Sequence, residues 1–187
     1  MKITERVRMN NKILKMLLIA IFASLALTAC GSNSEPTPSP SATENPYGGG
    51  FTVSSPADSE VVLTIKGSTE VNYTMGELKE MASKVITINE PFVKQVQKFN
   101  VILLKDLLKG VSIPAGANLN TVALNDYAYA NTANNLFVHN AYLAVLRNGE
   151  DIPMDQGGPI RIIFADNSDY ATNLDAWNWS LRKIEIK

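Results

Sequence analysis

Three short segments of the sequence carry side chains that could bind a flat, hydrogen-bonding ligand. The first places Asn125, Asp126 and Tyr127 directly after an apolar stretch, where their polar groups could contact the edge of a ring. The second is the Gly157-Gly158 turn, whose backbone N–H groups could donate to the same ligand just before a strand begins. The third segment, near the C-terminus, contains Trp177 and Trp179.

Arg161 and two tryptophans complete this set of candidate ligand-binding residues. Arg161 follows the glycine turn and could supply a charge-assisted hydrogen bond. Trp177 and Trp179 lie two residues apart, so in a strand they would share a face and could stack on, or wall in, a planar heterocycle. Two alternatives stay open. The tryptophans would also suit a hydrophobic core, and Arg161 would also suit a surface ion pair with an aspartate.

Other kinds of chemistry are poorly represented in the sequence. It contains no G-x-S-x-G, Walker or H-E-x-x-H motif. His139 is the only histidine and Cys30 the only cysteine, which excludes an internal disulfide, a Cys₄ zinc site and an iron–sulfur cluster. Asp166, Asp169 and Asp175 lack the spacing of an EF-hand and are typical of a polar surface loop. We therefore assign no catalytic residue and no metal ligand.

The single cysteine lies at the end of a segment that is typical of a secretory signal. A basic start is followed by the 14-residue, mostly apolar run Met16 to Ala29. Such a run is too short to cross ~30 Å of hydrocarbon as a helix, but it fits the apolar region of a signal peptide that begins at Met1 or Met9. The alternative for Cys30 is a buried core residue.

The residues around Cys30 resemble the lipobox of bacterial lipoproteins. The matching residues are Leu27-Thr28-Ala29-Cys30-Gly31. In that family the peptide bond before the cysteine is cut and the thiol carries a diacylglycerol. The resemblance implies lipidation of Cys30, with acyl chains that hold the protein at a membrane in the cell envelope, outside the cytoplasm.

Net charge argues against nucleic acid as a partner. The chain has 17 basic and 18 acidic residues, and residues 1–29 hold five of the basic ones and one of the acidic ones. The remainder therefore carries a net charge of −5, and it contains no Lys/Arg-rich run that could bind phosphates.

The chain divides into a signal peptide over residues 1–29, a lipidated cysteine with a tether over 30–50, and one domain over 51–187. Residues 31–50 are rich in proline, serine and glycine, a composition that predicts a flexible, partly extended spacer. The domain alternates β-rich stretches with two short helical patterns, which predicts an α+β fold.

The predicted elements of the domain follow from local patterns. Strands are predicted over Glu60–Lys66, Val71–Tyr73, Val85–Ile88, part of Asn120–Ala128, Ala141–Arg147, Pro159–Ala165 and Trp177–Ile186. One helix should begin at a capping box formed by Thr74 and Glu77, and a second should cover Leu103–Lys109. Asn148-Gly149 predicts a hairpin turn.

From about Val62 to Ile186 the domain resembles the oxidoreductase molybdopterin-binding domain, which has the sulfite-oxidase-type fold. The matching segments follow the family's order: Tyr73–Met81, Phe99–Leu108, Tyr142–Glu150, Gly157–Ile163 and Trp179–Ile186. The resemblance implies a mixed β-sheet with a barrel-like core and a few short helices.

The sequence departs from the enzymes of that fold at the metal ligand. Molybdenum enzymes of the family supply a cysteine thiolate from the domain, and residues 51–187 contain no cysteine. The domain is more similar to small, cysteine-free extracytoplasmic members through Leu124-Asn125-Asp126-Tyr127, Gly158-Pro159 and Trp177-x-Trp179. That similarity implies a free pterin as ligand and a membrane signalling or redox protein as partner, with no molybdenum cofactor.

The expected function is that of a membrane-anchored extracytoplasmic lipoprotein that binds a small planar ligand, such as a pterin, without catalysis. Two alternatives remain open. One is a molybdopterin-dependent oxidoreductase-like protein, and the other is an interaction module that binds no small ligand.

Overall fold

A computed structural model describes residues 53–187. The predicted signal peptide, Cys30 and the tether lie outside the described residues, as do positions 51 and 52 of the predicted domain. Within residues 53–187, no helix has both the length and the apolar character needed to cross a membrane.

The described chain is an α+β domain with ten strands and three short α-helices, which confirms the predicted class. The strands are β1 Val61–Lys66, β2 Glu70–Thr74, β3 Lys84–Glu90, β4 Gln95–Leu103, β5 Asn118–Ala123, β6 Ala128–Thr132, β7 Tyr142–Arg147, β8 Glu150–Asp151, β9 Arg161–Ile163 and β10 Leu181–Ile186. The helices are α1 Met75–Met81, α2 Leu104–Leu107 and α3 Ala133–Val138.

The strands form two separate sheets. Sheet A has the order β2-β1-β10-β5-β6, and its β1–β10 pair is parallel while its other strand pairs are antiparallel. Sheet B has the order β3-β4-β7-β8, with β9 also paired to β7. The barrel-like core expected from the sequence is not formed within the described residues, because no strand is hydrogen-bonded to both sheets.

Alternation along the strands directs apolar side chains from both sheets into one core. Leu63 of β1 and Ile184 of β10 are fully buried on sheet A. Phe99 of β4 and Leu143 of β7 are fully buried on sheet B and belong to the same hydrophobic cluster. The two sheets are therefore held together by a shared apolar interior.

The local start and turn signals are confirmed. The Thr74 hydroxyl accepts a hydrogen bond from the Glu77 N–H (3.3 Å), and the Glu77 carboxylate accepts one from the Thr74 N–H (2.8 Å), which is the predicted capping box. Asn148 and Gly149 both have positive φ, as a two-residue hairpin turn between β7 and β8 requires.

Three features of the fold differ from the predictions. The stretch Asn120–Ala128 is divided between β5 and β6 by a turn at 124–127, in which Asp126 has a φ of 65°. Much of β4 and all of α3 were not predicted. Trp177 and Trp179 precede β10, so strand alternation does not determine where their side chains lie.

Candidate ligand-binding cleft

A cleft of about 290 Å³ contains four of the eight predicted ligand-binding residues. It is lined by Phe92, Ala123, Asn125, Tyr127, Leu174, Asp175, Trp177 and Trp179. We call it the aromatic cleft. The other four predicted residues, Asp126, Gly157, Gly158 and Arg161, do not line it.

A backbone hydrogen bond holds the segment with the two tryptophans beside β9. The carbonyl of Asn178, between them, accepts from the Ile162 N–H (2.9 Å). Trp177 is only 3% exposed, and its Nε1–H donates to the carbonyl of Tyr170 (3.0 Å). Trp177 therefore forms a fixed wall, whereas the half-buried Trp179 retains some accessible surface.

Phe92, which the sequence analysis did not single out, provides a third aromatic wall. Its ring centroid lies 4.6 Å from that of Trp179 and 6.2 Å from that of Trp177, with edge-on geometry. The side chain is 40% exposed, so it keeps surface for a ligand. The feature of the sequence that could have indicated Phe92 is an aromatic residue directly after a proline, in a loop between two strands.

One buried carboxylate holds the loop that carries Phe92. Glu90 ends β3 with no exposed surface, and its Oε2 accepts from the N–H groups of Phe92 (2.9 Å) and Val93 (2.8 Å). Its Oε1 accepts from Arg161 Nη2 at 2.7 Å. Glu90 thus ties the loop to β9 through charge-assisted hydrogen bonds.

Arg161 lies inside the domain, not at its surface. The side chain is fully buried, and its partner is Glu90 instead of the surface aspartate considered above. The guanidinium carbon lies 4.5 Å from the ring centroid of Trp179 and 5.9 Å from that of Phe92, within the range of cation–π contacts. Arg161 does not line the aromatic cleft, but it contacts two of the rings that do.

The glycine turn is required by close packing. Gly157 has a φ of +88°, and a Cβ added there would lie 2.9 Å from Cδ2 of Trp179. A Cβ on Gly158 would lie 1.9 Å from the Ile152 carbonyl oxygen. The Gly158 N–H, predicted to donate to a ligand, donates instead to the carbonyl of Pro153 (2.9 Å).

The turn between β5 and β6 places Asn125 and Tyr127 in the cleft. Asn125 Oδ1 accepts from the Tyr127 N–H (3.1 Å), which stabilises the turn. The Tyr127 hydroxyl donates to the backbone carbonyl of Asp175 (2.9 Å). Burial, followed by the nearby Asp175 charge, raises the pKa of the Tyr127 phenol, so this group stays protonated at neutral pH.

Asp126 is engaged elsewhere. Its carboxylate forms an ion pair with Arg182 Nη2, and Arg182 Nε also donates to the carbonyl of Ala123 (2.9 Å). The pair fastens the turn to β10. The acidic residue that does line the cleft is Asp175, which the sequence analysis had placed in a polar surface loop.

The described residues do not fit the molybdenum centre of the resembled enzymes. Within residues 53–187 there is no group of three or more His, Cys, Asp or Glu side chains that could hold a metal ion. The only cysteine of the chain, Cys30, lies outside them, so this part of the chain offers no thiolate ligand.

A larger groove, of about 630 Å³, lies against the outer face of sheet A. Its walls include Val53–Pro56 and Leu124, and none of its lining residues is aromatic or among the eight predicted ligand-binding residues. We therefore take the smaller aromatic cleft as the candidate site.

Comparison with known proteins adds no relative from which a function could be transferred. No protein-family model matches the chain, and no curated protein matches it significantly.

Proposed function

We propose that this domain binds a small planar heterocycle, of the size of a pterin, in the aromatic cleft, without catalysing a reaction. The observation that carries the proposal is the convergence of aromatic and polar side chains on one cleft. Phe92, Tyr127 and Trp179 supply aromatic surface, and Asn125 and Asp175 supply an amide and a carboxylate. Apolar walls with a few convergent polar groups are the usual composition of a small-molecule site.

The dimensions of the cleft support a small ligand. Its volume of about 290 Å³ is near the lower end of the ~300–1,000 Å³ found for small-molecule sites. Phe92 is 40% exposed and Tyr127 is 43% exposed, so aromatic surface is accessible. A single bicyclic ring fits these dimensions better than an elongated ligand does.

The proposed location comes from the sequence. The lipobox-like residues around Cys30 support a lipid-anchored protein in the cell envelope, outside the cytoplasm. A ligand bound by the domain would then be reported to a membrane signalling or redox partner.

Tryptophan fluorescence offers a direct test, because both tryptophans of the chain line the cleft. Titration of the purified full-length protein with pterin should give saturable quenching, and calorimetry should give the same Kd.

Phe92→Ala should weaken binding about tenfold through loss of ring contact. Val85→Ala, which changes an exposed residue of β3 that does not line the cleft, is the control. Absence of saturable quenching up to about 1 mM pterin would contradict the proposal.

The burial of Trp177 favours a second candidate, an interaction module that binds no small ligand. At 3% exposure and with its Nε1–H bonded to the Tyr170 carbonyl, Trp177 also serves the core. This candidate predicts that pterin leaves the fluorescence unchanged, apart from the absorption of light by the pterin itself.

A further inference from the structure

The formal charge in the aromatic cleft at neutral pH resides on Asp175. None of the other lining residues is charged at that pH. Two charged groups expected at the site are engaged elsewhere, since Asp126 pairs with Arg182 and Arg161 pairs with Glu90. A ligand in the cleft therefore meets a negative charge that no cationic lining residue balances.

The position of this charge is linked to the accessible aromatic surface. The backbone carbonyl of Asp175 accepts a hydrogen bond from the Tyr127 hydroxyl (2.9 Å), which ties the two residues together. Among residues 53–187, no side chain forms a hydrogen bond or an ion pair with the Asp175 carboxylate. Its oxygen atoms are thus available to accept from a ligand.

Asn125 provides the complementary group. Its Oδ1 accepts from the Tyr127 N–H. Its Nδ2 carries the two N–H donors of the amide, and these can bond to a ligand. The cleft therefore offers an acceptor on Asp175 and a donor on Asn125. A carboxylate can accept two parallel N–H bonds, so it favours a ring edge with two adjacent donors.

We propose that Asp175 selects fused heterocycles with a 2-amino-4-oxopyrimidine edge over rings with a carbonyl in place of the amino group. This inference rests on the proposed function, because it specifies which planar ring the same cleft binds. The N3–H and the 2-amino group would donate to the two Asp175 oxygens. The 4-oxo group would accept from Asn125 Nδ2. A 2,4-dioxo ring would instead place a carbonyl oxygen against the carboxylate.

The experiment compares pterin with lumazine, which has the same fused ring and a 2-oxo group. Both are titrated into the full-length protein at a pH where both rings are neutral. The wild-type protein should bind pterin at least about tenfold more tightly than lumazine. Asp175→Asn should weaken pterin binding about tenfold and remove the preference. Asp169→Asn is the matched control, because that side chain is 89% exposed and does not line the cleft.

The possible outcomes separate this inference from the proposed function. Equal binding of the two rings by the wild-type protein, or a preference that survives in Asp175→Asn, would overturn the role of Asp175 and leave a planar-ligand site. Failure of both rings to bind the wild-type protein would overturn the proposed function and this inference together. Circular dichroism of Asp175→Asn should match the wild type, since Asp175 is exposed.

Discussion

Two arginine–carboxylate pairs adjoin the aromatic cleft and differ mainly in burial. Arg161 and Glu90 have no exposed side-chain surface. In the second pair, the side chains of Arg182 and Asp126 are 39% and 81% exposed. Removing one member of a buried pair leaves an uncompensated charge and costs about 3–5 kcal/mol, whereas an exposed pair contributes about 0–1 kcal/mol. Burial therefore makes one arginine–carboxylate pair contribute far more to stability than the other.

The buried pair also does more for the cleft than the exposed pair does. Glu90 binds both Arg161, which contacts the ring of Trp179, and the backbone of the loop that carries Phe92. Arg182 and Asp126 hold only the turn between β5 and β6. The aromatic walls therefore depend on a buried ion pair, whereas the turn that carries Asn125 and Tyr127 depends on a solvated one.

The largest predicted effect is that of Glu90→Gln. An amide cannot balance the Arg161 charge while accepting from the loop N–H groups, so the free energy of unfolding should fall by about 3–5 kcal/mol. Urea denaturation followed by circular dichroism measures this. A control combines Glu90→Gln with Arg161→Met, which removes the buried positive charge as well and should restore part of the lost stability. A loss below about 1 kcal/mol for Glu90→Gln would mean that the pair is solvated.

A much smaller effect is predicted for Asp126→Asn. The exposed ion pair with Arg182 is lost, but both side chains remain hydrated, so unfolding free energy should change by about 0–1 kcal/mol. The same urea experiment at low and high salt checks the sign, because salt screens what the pair contributes. A loss as large as that of Glu90→Gln would contradict the comparison.

The last predicted effect is a pH dependence carried by Glu185 of β10, and solvent screening at this surface position should keep it small. Hydrogen bonds from Lys183, Lys187 and Asn120 lower the pKa of Glu185 to about 2. Because the folded pKa lies below the ordinary value of 4.5, the stabilisation is present above that value and is lost as pH falls toward 2. Unfolding midpoints at several pH values in this range should converge for wild type and Glu185→Gln. Midpoints that stay equally far apart would contradict the assignment.

Features set by neighbours in the chain were predictable from the sequence. The capping box of Thr74 and Glu77 and the Asn148-Gly149 turn depend on residues at most three positions apart. The α+β class followed from the same local patterns. Asn125 and Tyr127 lie in the turn that follows β5, and both line the cleft.

The rest of the cleft depends on contacts between distant parts of the chain. Glu90 and Arg161 are separated by 71 positions, so no local pattern could indicate that they form a buried pair. Asp126 and Asp175 are both exposed acidic residues outside the strands. Their difference arises because Asp126 meets Arg182 of β10 and Asp175 meets Tyr127.

The sequence by itself determined which charged and aromatic residues are available to build a site, the caps and turns that depend on near neighbours, and the lipobox-like residues around Cys30. Only the tertiary structure decided that Arg161 belongs to the core and that Phe92 and Asp175 belong to the cleft. The physical reason is that burial and ion pairing are set by which strands pair, and pairing joins residues that are far apart in the chain.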